Sequence, residues 1–313
     1  MTAPLSEWAR WEEQDKQDPR FDYASLLARA RPDLDRELTP ERKTERRDAV
    51  QRGIARARSV LQEVAVDTYI VLSNPHGVTP INQPAPTLGM YLSDSASRIA
   101  RTGNRPRNRT DEPRAQDNGR SDAKGTEDDY PTNPELADHL MSSLIADGFD
   151  LSVIYQSQPS AGIDGHEFTN VYDMFLPDRS IPIVPFLLSR YRPNQATPAR
   201  CFALGKAIRR AVESWDSNTG VGLIASGGLS HQIIDEELDQ QVLQALRTQD
   251  VEVLCSLPID RINGAPGTAE ILNWVGLAGA MDPLPMTLID YVPCYRSRAG
   301  TGLAVTLGYW QPE

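Results

Sequence analysis

The chain has 313 residues, of which 40% are hydrophobic and 24% are charged, a composition typical of a globular protein with a substantial core. A formal net charge of -11 argues against a nucleic-acid-binding protein, because no basic excess is available to neutralise phosphates. The three cysteines form no CxxC pair, and no apolar run has the length of a membrane span or a secretory leader. We therefore expect a cytoplasmic protein with no membrane partner.

The first part of the chain predicts helices followed by a buried strand. Residues 5–61 are polar and helix-prone, and the pair Thr39-Pro40 is typical of a helix start. The β-branched run Thr68–Ser73 predicts a buried strand. This strand leads into Asn74-Pro75-His76-Gly77, so that His76 lies just beyond its end.

Residues 93–133 interrupt this pattern. They are rich in Arg, Asp, Asn, Gly, Ser and Thr and contain few large apolar side chains. Such a segment cannot bury enough apolar surface to offset the entropy lost on ordering. We expect a disordered or lid-like insertion at residues 93–133.

Strands and helices alternate in the remainder of the chain. Strands are predicted near residues 151–155, 181–186, 221–225 and 302–309, and helices near residues 136–145, 202–215, 235–246 and 269–280. This alternation predicts an α/β fold with a central mixed β-sheet flanked by helices. We expect residues 1–313 to form a single domain.

One glycine turn carries the strongest functional signal. The apolar run Val221–Ala225 leads into Gly227 and Gly228, and the pair Ser230-His231 follows. Glycines permit a sharp turn and a close backbone approach, so the chain places His231 at the carboxyl end of a strand, where α/β sheets bind ligands. The alternative is a turn histidine that is hydrogen-bonded to the backbone.

Three further residues belong to the same hypothesis. His76 follows a strand, His166 ends a glycine-rich loop, and Glu270 begins an otherwise apolar helix. Together with His231 they can meet at one end of the sheet, and imidazoles with one carboxylate suit iron(II). Glu270 can equally be a first-turn residue favoured by the helix dipole. The remaining histidine, His139, lies on a predicted helix and is interpreted as a packed or surface residue.

Several motifs resemble one enzyme family, the class III extradiol ring-cleavage dioxygenases. The resemblance is to the catalytic subunits of the protocatechuate 4,5-dioxygenase, gallate and 3-O-methylgallate type. It covers most of residues 5–308 outside the insertion, and the segment Gly227–His231 is its most specific part. The other matching segments are Asn133–Ala137, Phe149–Leu151, Ile183–Phe186, Arg200–Gly205 and Gly267–Glu270.

The resemblance implies a role for each candidate residue. His76 and Glu270 correspond to metal ligands, His231 to the acid/base histidine and His166 to a histidine that contacts the substrate. Ser230 and Gly228 are expected at the substrate-binding turn. The implied partners are iron(II), a small aromatic substrate and O2, together with a second copy of the chain or a related subunit in an oligomer.

The sequence departs from the family at its first metal ligand. The family opens with a strand that ends in Ser-His-x-Pro, whose histidine binds iron, whereas no histidine precedes His76 here. Either the start is truncated or the ligand is lost. Two main hypotheses follow, an iron(II) ring-cleaving enzyme and a metal-free family member that acts as a structural subunit or binds small molecules. An unrelated small-molecule-binding protein is a third.

Overall fold

The structure is a computed structural model that describes residues 3–75, 86–93, 95–98, 128–155, 166–177, 180–190 and 192–311. The helices are α1 (Leu5–Lys16), α2 (Tyr23–Arg29), α3 (Leu34–Glu37), α4 (Pro40–Glu63), α5 (Pro134–Ala146), α6 (His166–Phe175), α7 (Pro198–Ser214), α8 (Glu236–Thr248), α9 (Val251–Cys255), α10 (Ile259–Ile262) and α11 (Ile271–Met281). The strands are β1 (Thr68–Ser73), β2 (Leu88–Tyr91), β3 (Ser95–Arg98), β4 (Asp128–Pro131), β5 (Ser152–Ile154), β6 (Ile183–Leu188), β7 (Val221–Ala225), β8 (His231–Ile233), β9 (Thr287–Tyr295) and β10 (Thr301–Tyr309).

A five-stranded sheet lies at the centre, in the order β5-β2-β6-β1-β7. Strand β1 pairs in parallel with both β6 and β7, and β2 runs antiparallel to β6, so the sheet is mixed. Every residue of β1 is buried, as expected for a central strand that is covered on both faces. The predicted α/β class with a central mixed sheet is confirmed.

Side chains that alternate along β1 point into two separate layers. Ile70 and Leu72 belong to a core that α5, α7, α8 and α11 cover. Tyr69 and Val71 belong to a second core on the other face, which α6 covers. Helices therefore flank both faces of the central sheet, as the sequence predicts.

A second, antiparallel sheet has the order β8-β10-β9. Its strands β9 and β10 pack against α4, where Val292 and Cys294 meet Val50 and Ile54 in an apolar cluster. Arg296, just beyond β9, donates to both carboxylate oxygens of Asp15 at 2.9 and 3.0 Å, and this attaches α1 to the same sheet. The N-terminal helices thus pack on the C-terminal strands.

The two ends of the predicted insertion are ordered. Strands β3 and β4 pair antiparallel, and Ala96 and Tyr130 are fully buried. Both strands fall within residues 93–133, so disorder is not correct for these ends. Residues 94 and 99–127 lie outside the described residues, and for them a disordered or lid-like segment stays a prediction.

Some predicted boundaries shift. His166 is the first residue of α6, not the end of a loop, and α7 begins at Pro198, where Thr197 caps it. The predicted helix 269–280 divides into a short 3₁₀ helix, Thr268–Glu270, followed by α11.

Among the described residues, no helix is both long enough and apolar enough to cross a membrane.

Helices α7 and α11 cross with almost no space between their backbones. A Cβ on Gly205 of α7 would lie 1.9 Å from the carbonyl oxygen of Gly276 on α11. A Cβ on Gly279 of α11 would lie 2.1 Å from the carbonyl oxygen of Phe202. Glycine at these two positions is therefore what allows α11 to lie against α7.

The crossing gives a matched pair of predictions. Gly205→Ala should lower the free energy of unfolding by about 3 kcal/mol or more, because the methyl group meets backbone that cannot move alone. Gly276→Ala should change it by less than about 1 kcal/mol, since its Cβ would meet only a terminal methyl of Leu72 at 3.2 Å, with backbone no nearer than 3.7 Å, and alanine favours the helix. Urea denaturation measures both, and equal losses would contradict the packing argument.

Candidate active site

Three parallel strands end at one edge of the central sheet. Strands β1, β6 and β7 lead there into Asn74, Ser189 and Ser226. Two hydrogen bonds tie these ends together. The side-chain amide of Asn74 donates to the carbonyl of Leu188 at 2.8 Å, and the backbone N–H of Ser226 donates to the carbonyl of Leu72 at 2.8 Å. The carboxyl edge is therefore a well-defined platform, as in other α/β sheets.

The first turn of α11 closes this platform. The amide nitrogen of Asn273, a fully buried residue, donates to Asn74 Oδ1 at 2.6 Å and to the Ser226 carbonyl at 2.7 Å. The indole nitrogen of Trp274 donates to the Gly227 carbonyl at 3.1 Å. Because α11 is bonded to the residues after both β1 and β7, the residue that precedes it is held over the sheet edge.

That residue is Glu270, which is only 3% exposed. Its Oε2 accepts a hydrogen bond from the backbone N–H of Gly228 at 3.1 Å. Its Oε1 lies 3.3 Å from Nη1 of Arg190 and 3.4 Å from Nδ1 of His231. The guanidinium of Arg190 is buried as well, with 7% of its side chain exposed. A buried carboxylate thus faces a guanidinium and an imidazole.

Two glycines make this close arrangement possible. Gly227 has φ +123°, and a Cβ there would lie 2.6 Å from Oε2 of Glu270. A Cβ on Gly267 would lie 2.5 Å from both Cγ and Nδ1 of His231. Glycine is therefore required at Gly227 for its conformation and at both positions for space.

The imidazole of His231 is oriented with Nδ1 toward Glu270. Its Nδ1 is buried without a hydrogen-bond partner and faces the carboxylate, while 26% of the side chain is exposed. The backbone N–H of His231 donates to Oγ1 of Thr268 at 3.1 Å, and the residue begins β8 opposite Leu303 of β10. Such an imidazole can accept or return a proton at Nε2, the ring nitrogen that does not face Glu270.

Ser230 points away from Glu270 into a separate buried network. Its hydroxyl donates to Oδ2 of Asp239 at 2.6 Å, and its backbone N–H donates to Oδ1 at 2.8 Å. The hydroxyl of Tyr291 donates to the same carboxylate at 2.7 Å. Burial raises the pKa of Asp239 to about 6, although these hydrogen bonds oppose the change. Burial and the nearby Asp239 likewise raise the pKa of Tyr291.

The structure brings together only part of the predicted set. His231, Glu270 and Gly228 are in mutual proximity, and Ser230 shapes the same turn from the opposite side. His76 lies outside the described residues, and of His166 only the backbone is described. The role of each stays a prediction, as does the oligomeric state. His139, on α5, packs against α7 as expected for a packed helix residue, with Nε2 2.8 Å from the Ala211 carbonyl.

The described residues do not by themselves fit an iron(II) site. Carboxylate and imidazole are suitable donor types, but a facial triad needs three donors. Within the described part of the chain, no group of three His, Cys, Asp or Glu side chains is placed to hold a metal ion. In addition, the guanidinium of Arg190 already compensates the charge of Glu270. A metal ion here would need a further donor beyond Glu270 and His231.

Sequence reasoning missed Arg190, Asn74 and Asn273. Each is a polar residue beside or within an apolar stretch, which is the signal that could have identified it. Arg190 follows the apolar run of β6, and Asn273 is the one amide in the first turn of an otherwise apolar helix. Asn74 stands between β1 and a proline.

Comparison with known proteins shows the class of protein that carries this site. Residues 32–296 match the family model described as the catalytic LigB subunit of aromatic ring-opening dioxygenase. The match covers most of the chain, and the chain belongs to this family.

A particular relative is gallate dioxygenase from Pseudomonas putida, which is 33% identical over 159 residues. The alignment covers 47% of this chain and 45% of that enzyme, so the match spans less than half the length of the curated relative. Among solved structures, an uncharacterized protein from Escherichia coli aligns with a TM-score of 0.46 and 15% identity, over 82% of this chain and 92% of the other.

The raised pKa of Asp239 predicts a specific pH dependence. Between pH 3.8, its ordinary pKa, and about 6, the folded state keeps a proton that the unfolded state loses. The stability that this group contributes is therefore present at low pH and lost as the pH rises, by about 3 kcal/mol in all. Asp239→Asn has no such titration.

Measured by urea denaturation at pH 4 and pH 7, wild type should lose about 2 kcal/mol relative to Asp239→Asn, because at pH 4 the unfolded state has already lost part of its proton. Asp138→Asn on the exposed side of α5 controls for the removal of one carboxylate. A difference between wild type and Asp239→Asn that does not change with pH would contradict the raised pKa.

Proposed function

We propose that the chain is an iron(II)-dependent extradiol dioxygenase that opens the ring of a catechol-type aromatic with O2. The observation that supports the proposal is the placement of His231 against the buried Glu270 at the carboxyl edge of the sheet. Membership of a family of aromatic ring-opening dioxygenases supports the reaction class. Carboxylated catechols, namely protocatechuate and gallate, are the first substrates to test.

In this proposal His231 is the proton-transfer group. Because its Nδ1 is buried beside Glu270, Nε2 is the ring nitrogen left for the substrate. The carboxylate and the close fit of Gly267 restrict the orientation of the ring. A proton-transfer group held in a fixed orientation contributes about 10²–10⁴-fold to a rate.

Iron(II) is the cofactor that this function requires, and it would supply the activation of catechol and O2. The family resemblance assigns it to His76 and Glu270. The described residues do not complete such a site, so the cofactor is part of the proposal.

The decisive experiment measures iron per chain after anaerobic reconstitution, followed by O2 uptake with a panel of catechols. His231→Gln should retain iron but lower the turnover number by about 10²–10⁴-fold, because the imidazole that transfers the proton is lost. His139→Gln, a histidine substitution on α5 away from the site, should turn over at the wild-type rate. Equal turnover by His231→Gln and wild type would exclude the assigned role.

Glu270→Gln tests the metal assignment separately. The amide has the shape of the carboxylate but no charge, so iron retention should fall to background while wild type retains the metal. Wild-type protein that takes up O2 without any bound iron would rule out the iron-dependent mechanism.

A second candidate function is a metal-free family member that binds a small aromatic molecule. The contact between Arg190 and Glu270 favours it, because the carboxylate already has a cationic partner inside the protein. Calorimetric titration of metal-free protein with catechols distinguishes the two candidates. Saturable binding with neither iron nor O2 uptake would support this function over the enzyme.

A further inference from the structure

The ion pair between Arg190 and Glu270 is unlike the surface ion pairs of this chain. Only 7% of one side chain and 4% of the other are exposed, and their closest atoms are 3.3 Å apart. By contrast, the neighbouring Arg192 pairs with Asp260 at the surface, where the side chains are 57% and 89% exposed. The buried pair is also built into the sheet edge, because Arg190 follows β6 and Glu270 precedes α11.

A buried carboxylate needs a compensating positive charge or hydrogen-bond donors. At Oε2 of Glu270 the Gly228 N–H supplies a donor. Among the described residues, the arginine or lysine that contacts Oε1 is Arg190. A divalent metal at Oε1 would bring a second, larger positive charge against this guanidinium in a buried site. The two cations therefore oppose each other at the same oxygen.

We propose that the guanidinium of Arg190 competes with divalent metal ions for the carboxylate of Glu270 and so lowers the metal affinity of the site. Arginine suits this role because its guanidinium already lies 3.3 Å from Oε1 inside the protein. A metal that binds Oε1 therefore has to displace the guanidinium. Metal affinity in the wild-type chain is consequently lower than it would be without this guanidinium.

The test compares Co2+ affinities of oxygen-free wild type and Arg190→Met, measured by competition with a chromophoric chelator. Methionine keeps much of the volume and removes the charge. Arg190→Met should bind Co2+ at least about tenfold more tightly than wild type. Arg192→Met removes the neighbouring arginine from a surface pair and should bind as weakly as wild type. Affinity of Arg190→Met equal to that of wild type would overturn the proposal.

Two further variants keep the test valid if Arg190→Met folds poorly. Arg190→Gln retains an N–H donor toward Oε1 without the charge, and it should also bind Co2+ more tightly than wild type. The double variant Arg190→Met/Glu270→Gln removes both charges and should lose the gain, because the metal then has no carboxylate. Tight Co2+ binding by this double variant would place the metal elsewhere and refute the competition.

This inference does not depend on ring cleavage, because its readout is an affinity for a metal alone. Tight Co2+ binding by Arg190→Met without O2 uptake by any iron-loaded form would count against the proposed enzyme only. Active wild type with unchanged Co2+ affinity in Arg190→Met would count against the competition only.

Discussion

The negative charge of Glu270 must be compensated inside the protein, since the residue is almost completely removed from water. The groups around it come from separate parts of the chain: the segment after β6, the glycine turn after β7, and the first residue of β8. Each of these segments is a loop or strand end, and its local sequence alone does not fix its position. The carboxylate therefore fixes their relative arrangement, and the shape of the site follows from a single buried charge.

A second buried carboxylate holds the glycine turn from the opposite side. Glu270 accepts the backbone N–H of Gly228, and Asp239 accepts both the backbone N–H and the hydroxyl of Ser230. Two N–H groups, two residues apart, thus point in different directions toward different carboxylates. This explains the composition of the turn, where glycine gives conformational freedom and serine adds a hydroxyl donor. His231 is the next residue in the chain, so the hydrogen bonds of both carboxylates to the turn also fix its position.

Much of the fold could be predicted from the sequence, because buried strands and amphipathic helices have periodic patterns. Strand β1 was predicted at its observed bounds, and the proximity of His231 to Glu270 follows from two elements that end at one sheet edge. Arg190 was missed, since one arginine after an apolar strand is equally compatible with a surface residue. Asn273 was missed for a similar reason, because its partners are carbonyl and amide groups far away in the sequence.

The pairing of β8 with β10 has a consequence for how the protein is made. His231 lies opposite Leu303, and the N–H of Ala304 donates to the Ser230 carbonyl at 3.0 Å. During synthesis the glycine turn therefore leaves the ribosome about seventy residues before the strand that fixes its register. Contacts this distant in sequence form late, after local helices. A nascent chain can thus contain the central sheet and its helices before β8 has a strand to pair with.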